Sequence, residues 1–442
     1  MKRFLLFLIS AFVALVGLTG CGRESGAPEA PGETAAVEPA GSVEVVLWHN
    51  QTLRNAEVLE QIAQSFTSAV PEVRIKLEYS GNYGQIYQKV MANIQAGSLP
   101  DMVVAYESMV SEYARANVVT SLDNYVADPD HGLSATDLAD IFPAFLDTNR
   151  YPHFDNKMLS FPFCKSDLMM YCNMDMLNEA GIESPPRTWT EFVAACRAVK
   201  AKLGLPGYAL SIDASTVNGM IYSRRGRVYD PVTNKALYDS PESLAVFKTI
   251  EQLFAEKIAY HVAPGSYDDV RDLASGRTAM ILRTSATRPF VYRDVAGRFR
   301  LEMAMIPQVD PGNPVTVLFG PNICVFKTSP ERQLASWRFL KSFASAEVTS
   351  IWAARTGYLP VRQSAAKTEI LQRFFSTEPI NRRAFDALPY ARPEPNVFGW
   401  QEVRALVERA ETTVVTGLKS AQEAVEELAA KADHALAEAR ET

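Results

Sequence analysis

The 442-residue chain has only five cysteines and five histidines. The histidines fall at His49, His131, His153, His261 and His434, with none of the close spacings a zinc site uses, and neither CxxC nor HExxH occurs. A metal centre is therefore not expected. A GxSxG elbow and a GxxxxGK[ST] phosphate loop are missing too, so the sequence gives no positive sign of a hydrolase of that type or of a P-loop enzyme, and no cofactor is expected. Positive charge is in deficit: 44 Lys and Arg stand against 51 Asp and Glu, a net charge of -7, which is no footprint for nucleic acid. Beyond residue 21 no uncharged apolar run reaches the roughly 20 residues of a membrane span. At 47% hydrophobic and 21% charged the chain nonetheless has the means to build a core.

The N-terminus sets the compartment. Lys2 and Arg3 precede an uncharged apolar run from Phe4 to Leu18, and Leu18-Thr19-Gly20-Cys21 follows. This order is that of a signal peptide. Its ending resembles the bacterial lipobox, in which the cysteine is acylated and becomes the new N-terminus. Cys21 is thus the expected lipid attachment, making residues 1–21 a lipoprotein signal peptide with its lipobox and the mature protein exported and anchored without spanning the bilayer. Residues 22–41, GRESGAPEAPGETAAVEPAG, hold one Val among Gly, Pro, Ala and Glu, a composition that buries no core and reads as a disordered tether.

From Ser42 onward, short β-rich runs alternate with amphipathic helices. Val43–Trp48 and Val73–Tyr79 read as strands, and Val58, Leu59, Ile62 and Phe66 place a helix near 55–68. A second helix is expected from Ile86 to a stop at Gly97, and a buried strand over Met102–Tyr106. This alternation argues an α/β layer with a mainly parallel sheet. A second region follows Phe161-Pro162-Phe163, with a strand over Leu168–Cys172. A Thr188/Glu191 capping box opens a helix to about Leu203, and Ser-Pro pairs open helices near 241–256 and 330–344. The last forty residues from Gln401 read as wholly helical, with one apolar face packed on the domain or, alternatively, as a coiled coil. Four cysteines remain after Cys21; Cys164 and Cys172 could pair in an oxidising compartment, although buried thiols are the simpler expectation.

Several segments carry a family resemblance: Trp48-His49-Asn50, Gly81-Asn82-Tyr83, Ala96 to Met102, Ala105-Tyr106-Glu107, Phe161 to Ser166, Tyr171 to Asp175, Pro185 to Trp189, Gly276 to Met280 and Thr356 to Pro360. In this order the chain resembles, over about residues 43–435, the extracellular solute-binding proteins of carbohydrate ABC importers. Gly81-Asn82-Tyr83 with Ala105-Tyr106-Glu107 points to the glycerol-3-phosphate-binding subgroup. The resemblance implies a two-lobed α/β periplasmic-binding-protein fold with a ligand cleft and a hinge. Lobe one is then expected at 43–161 and 315–354, and lobe two at 162–314 and 355–442. It implies a monomeric binding protein rather than an enzyme, with a small polar ligand (sugar, glycerol phosphate or glycerophosphodiester) and the membrane subunits of an ABC permease as partners. A secreted glycosidase-like enzyme and a ligand-sensing surface lipoprotein are the alternatives.

Carried over residue by residue, the resemblance implies ligand contacts at Tyr83, Glu107, Ser166, Thr284, Gly320 and Tyr358. Glu107 would accept bonds from ligand hydroxyls, and Gly320 would let the backbone approach the ligand. Trp48 and Trp400 could stack on a sugar face, and His49 and Asn50 could bond ligand at a strand end. The chain departs from the subgroup at two places. The subgroup's phosphate-binding arginine falls near Val397, leaving Arg392 as the nearest cation and Lys165 as the next, and a tryptophan-rich stretch is replaced by Ser211-Ile212-Asp213-Ala214. Without an arginine a phosphate loses its bidentate partner, which favours an uncharged, polyol-like solute.

Overall fold

The computed structural model describes residues 41–441. The leader, Cys21 and the tether up to residue 40 lie outside the described residues. Two mixed sheets, each flanked by helices, form the body. In the first, Val43–His49 lies between Val73–Tyr79 and Met102–Ala105, parallel to both, in register from Val43↔Val73 to His49↔Tyr79. Asn322–Val325 and Phe161–Pro162 extend it antiparallel. The intervening helices Leu53–Ala69 and Tyr83–Ala96 are the crossovers a parallel sheet requires.

The second sheet is organised around Ser166–Asn173, every residue of which is buried. Met280–Thr284, Leu301–Met305 and Thr316–Phe319 all pair antiparallel with it. Tyr208–Leu210 and Ala259–His261 continue the sheet on one side and Ala391–Arg392 on the other. This pairing corrects the expected lobe boundary at 315. Leu318 pairs with Asp167 and Phe319 with Ser166, so Thr316–Phe319 belongs to the second sheet. The chain crosses between sheets at 163–165 and again at Gly320–Pro321. Gly320 holds φ +106°, and a Cβ there would overlap the carbonyl oxygen of Cys164 in the other crossover. The need for glycine comes from this close passage of two backbones.

Local sequence signals explain the element ends. The Asn82 side chain accepts from Gln85 N at 3.0 Å and Gln85 Oε1 accepts from Asn82 N at 2.9 Å, so this helix begins at Tyr83, ahead of its first buried apolar residue, Ile86. Thr188 with Glu191 forms the same reciprocal cap, and Ser240 and Ser329 cap helices with proline in the first turn. Each such cap stabilises its helix by about 1 kcal/mol. The C-terminal stretch breaks at residues 416–420, where Gly417 takes φ +70°, into Trp400–Val415 and Ala421–Glu441. The two helices pack on each other and bury Val403, Val407, Leu428 and Leu436 in the second sheet's core, so the tail belongs to the domain. Cys164, Cys172, Cys196 and Cys324 are buried free thiols. Among the described residues no helix is long and apolar enough to cross a membrane.

Candidate ligand cleft

The first lobe contributes tyrosines. Tyr83 opens its helix, and Tyr106 is the residue at which strand Met102–Ala105 turns into helix Glu107–Arg115. Their ring centroids lie 4.5 Å apart at a 47° tilt. Tyr358 stacks on buried Trp352 with centroids 5.8 Å apart. Burial pushes the hydroxyl pKa of Tyr83 and Tyr358 well up, and the neighbouring Tyr106 and Cys164 push both in the same direction. Asn50 acts the other way on Tyr83, and Gln51 on Tyr358. The end of the first strand therefore gathers three tyrosines with two amides. His49 is beside them but buried; burial lowers its pKa to about 4, and its Nδ1 accepts from Gln51 N at 3.1 Å, so it is neutral at pH 7 and serves the turn.

Glu107 sits at the base. Its Oε1 accepts from Lys165 Nζ at 2.9 Å and from Asn322 Nδ2 at 2.9 Å. No bond from the described residues is directed at Oε2, and the side chain keeps 14% exposure. Lys165 is fully buried; burial lowers its pKa against the pull of Glu107. The same Nζ donates to Gly320 O at 2.9 Å. One ammonium thus ties both crossovers to the cleft carboxylate. Lys165, offered by the sequence as a second-choice phosphate ligand, is committed here. Beside the crossover, Thr284 Oγ1 donates to Ser166 Oγ at 2.6 Å, which brings these two hydroxyls together. One residue further, Asp167 is fully buried and, among the described residues, neither carboxylate oxygen has a hydrogen-bond partner; burial raises its pKa to about 7.

The second lobe supplies a wall of charge that sequence reasoning missed. Arg404 holds its guanidinium carbon 5.4 Å from the Tyr106 ring centroid. Its Nη1 donates to Ser215 Oγ at 2.7 Å and to Glu394. Glu394 also accepts from Ser215 Oγ and Asn218 Nδ2, each at 2.5 Å. Burial acts to lower the Arg404 pKa, but the carboxylates of Glu394, Asp213 and Glu408, with Tyr106, outweigh it and hold the group charged. Burial, reinforced by Asp213, raises the pKa of Glu408. Glu411 is fully buried, accepts from Asp213 N at 3.1 Å through Oε2, and is left with Oε1 unpartnered; burial pushes its pKa well up. The signal was present in the spacing: Gln401, Arg404, Glu408 and Glu411 recur at helical intervals on one face of Trp400–Val415.

The lobes meet along one flank. Ser108 Oγ donates to Gln401 Oε1 at 2.9 Å, Ser111 Oγ to Asn396 O at 2.9 Å, and Arg115 Nη1 to Ala439 O at 2.7 Å. All three donors ride on the helix that Glu107 begins. Two aromatic candidates are structural instead. Trp400 is buried beside Tyr238 in the second core, and Trp48 donates to Glu78 Oε2 at 2.9 Å while Lys89 Nζ lies 3.6 Å from its ring centroid. Arg392 is exposed and lines a different cavity, away from the tyrosines.

Two α/β lobes crossed by short strands, with polar and aromatic groups of each meeting between them, define a class of hinged ligand-binding proteins. The chain matches the family of bacterial extracellular solute-binding proteins over residues 61–375 and belongs to it. This is a family of binding proteins, not of enzymes. Among its relatives, a putative binding protein of Brucella abortus is 23% identical over 412 residues, covering 90% of this chain and 94% of the relative. The sn-glycerol-3-phosphate-binding periplasmic protein UgpB of Escherichia coli is 21% identical over 402 residues, covering 86% and 90%. Among solved structures, UgpB from Mycobacterium tuberculosis in complex with glycerophosphocholine superposes with a TM-score of 0.78 at 19% identity, over 90% of this chain and 99% of that one. The cyclic alpha-maltosyl-1,6-maltose binding protein from Arthrobacter globiformis gives 0.77 at 21%, with the same coverage. At these identities the likeness establishes the fold.

Proposed function

We propose that this protein is the lipid-anchored receptor of an ABC importer, capturing a hydroxyl-rich solute between its lobes and delivering it to the permease. The observation that carries the reading is the meeting, around Tyr106, of Tyr83 and Glu107 from the first lobe with Arg404, Glu394 and Asp213 from the second. Tyrosine faces pack on the apolar side of a sugar or polyol, and carboxylates accept from its hydroxyls through charge-assisted bonds. The names of the relatives, which include binders of glycerol 3-phosphate, glycerophosphocholine and a cyclic maltosyl maltose, support this solute class. Cys21 and the lipobox-like residues before it support the anchor.

Charge narrows the ligand further. The Arg404 guanidinium on the second-lobe wall already serves Glu394, that of Arg283 near Asp213 is held by Asp269, and Asp213 and Glu408 add negative charge beside Arg404. A free phosphate brought there would meet carboxylates with no unshared cation, so an uncharged carbohydrate fits better than glycerol 3-phosphate. The test is a calorimetric titration of maltose-type oligosaccharides, glycerol 3-phosphate and glycerophosphocholine against wild type, Glu107→Gln and Tyr83→Ala. We expect a neutral sugar to bind, with each variant weakening it by about 1.5–3 kcal/mol. Tight glycerol 3-phosphate binding would overturn the charge argument; sugar binding that ignores both variants would overturn the site.

A further inference from the structure

Arg392 lies in the wall of a second cavity, of about 450 Å³. Around it stand Arg227, Arg392 and Arg440, the tyrosines Tyr222 and Tyr229, and His153 from the first lobe. Among the described residues neither Arg392 nor Arg440 has a carboxylate partner, and Arg227 has only Asp230, at 3.3 Å. Among the described residues Glu394 is the sole acid in this wall, and its oxygens are taken by Arg404, Ser215 and Asn218. The Tyr222 hydroxyl donates to Pro393 O at 3.1 Å and the Tyr229 hydroxyl to Asn234 Oδ1 at 2.7 Å. Nδ1 of His153 is buried and has no hydrogen-bond partner among the described residues. Burial, and then the charge of Arg440, lowers the His153 pKa.

Guanidinium groups gathered on one cavity repel one another unless an anion lies between them, and their planar forks match the oxygens of a phosphate in pairs. We propose that this cavity is a second ligand site, separate from the tyrosine cleft, and that it takes a small oxyanion: inorganic phosphate or a phosphate monoester. None of Tyr83, Tyr106, Glu107, Ser166, Thr284 or Tyr358 lines it. Since His153 belongs to the first lobe and the arginines to the second, an anion there bridges the lobes on the flank where Ser108, Ser111 and Arg115 already join them. The site does not depend on which solute the cleft takes.

The experiment is a calorimetric titration of inorganic phosphate into the detergent-solubilised full chain at pH 7, against sodium chloride of matched ionic strength. Wild type should bind phosphate saturably, Arg392→Ala should weaken it, and Arg392→Ala with Arg440→Ala should weaken it at least tenfold. Both arginines are exposed, so these changes spare the core. Tyr83→Ala should leave phosphate affinity unchanged while impairing the cleft. The proposal is overturned if phosphate binds no better than chloride, if the double variant binds as well as wild type, or if Tyr83→Ala abolishes phosphate binding.

Discussion

Replacing Lys165 with methionine keeps an unbranched side chain, one atom shorter, and deletes its charge. In the native fold the ammonium is fully buried, 2.9 Å from Glu107 Oε1 and 2.9 Å from Gly320 O. Removing one member of a buried pair costs about 3–5 kcal/mol, because the other charge is stranded. Glu107 retains the Asn322 bond and is 14% exposed, so water relieves part of that penalty and the lower end, about 3 kcal/mol, applies. Loss of the bond to Gly320 O adds about 1 kcal/mol. Lys165→Met should therefore destabilise the fold by about 4 kcal/mol, read at pH 7 from the guanidinium midpoint at unchanged m. Adding Glu107→Gln removes the stranded carboxylate. The double variant should recover about 2 kcal/mol relative to the sum of the single changes. Single effects that add to within about 0.5 kcal/mol would show that the two groups do not act as a pair, and would refute this account of the crossover.

Asp167 supplies a pH prediction. Its folded pKa, raised to about 7 from an ordinary value of 3.8, means that between pH 4 and 7 the native state holds a proton the unfolded chain has released, so this group's contribution to stability falls as pH rises through that window. Asp167→Asn should remove this slope and stabilise the protein at pH 8 by on the order of 4 kcal/mol, at about 1.4 kcal/mol per pKa unit; an unaltered slope on thermal unfolding across pH 4–8 would refute it. Cys21→Ser should move the protein from the membrane fraction to the soluble fraction after osmotic shock with its unfolding midpoint unchanged, and retention on membranes would show that something other than acylation holds it.

Where local chemistry decides, the sequence was readable. The strands Val43–His49 and Val73–Tyr79, the Thr188/Glu191 cap and the Ser-Pro helix starts all follow from side-chain period and capping, which act within a few residues. The boundary at 315 was misplaced because Thr316–Phe319 is an apolar strand whose sheet is chosen by a partner far away in the chain. Trp48 and Trp400 show the same limit: an indole looks alike in sequence whether it meets a sugar or a core. Arg392 was selected for its distance along the chain from Val397, yet the guanidinium that reaches the tyrosines is Arg404, because the helix from Trp400 turns that residue toward the first lobe. Of the carboxylates around Arg404, Glu408 was legible only as part of a polar stripe on a helix, and Glu394 and Asp213 come from segments remote in sequence or outside that helix; a stripe alone does not say whether it faces solvent or a cleft.

The central strand Ser166–Asn173 also bears on when the protein folds. Its partners are remote: the Thr316 hydroxyl donates to Leu168 O across 148 residues, and Leu318 and Phe319 pair with Asp167 and Ser166; beside it Asn322 reaches Glu107 across 215. A chain that must close loops of that length before its central contacts form collects little reward from local structure alone, and such topologies fold slowly. The second sheet stays incomplete until Thr316–Phe319 has emerged from the ribosome, by which time the N-terminus is long finished. For a family that works outside the cytoplasm this delay is useful. The polypeptide remains threadable during the interval in which secretion must capture it, and the contacts that later set the hinge are the ones that postpone its assembly.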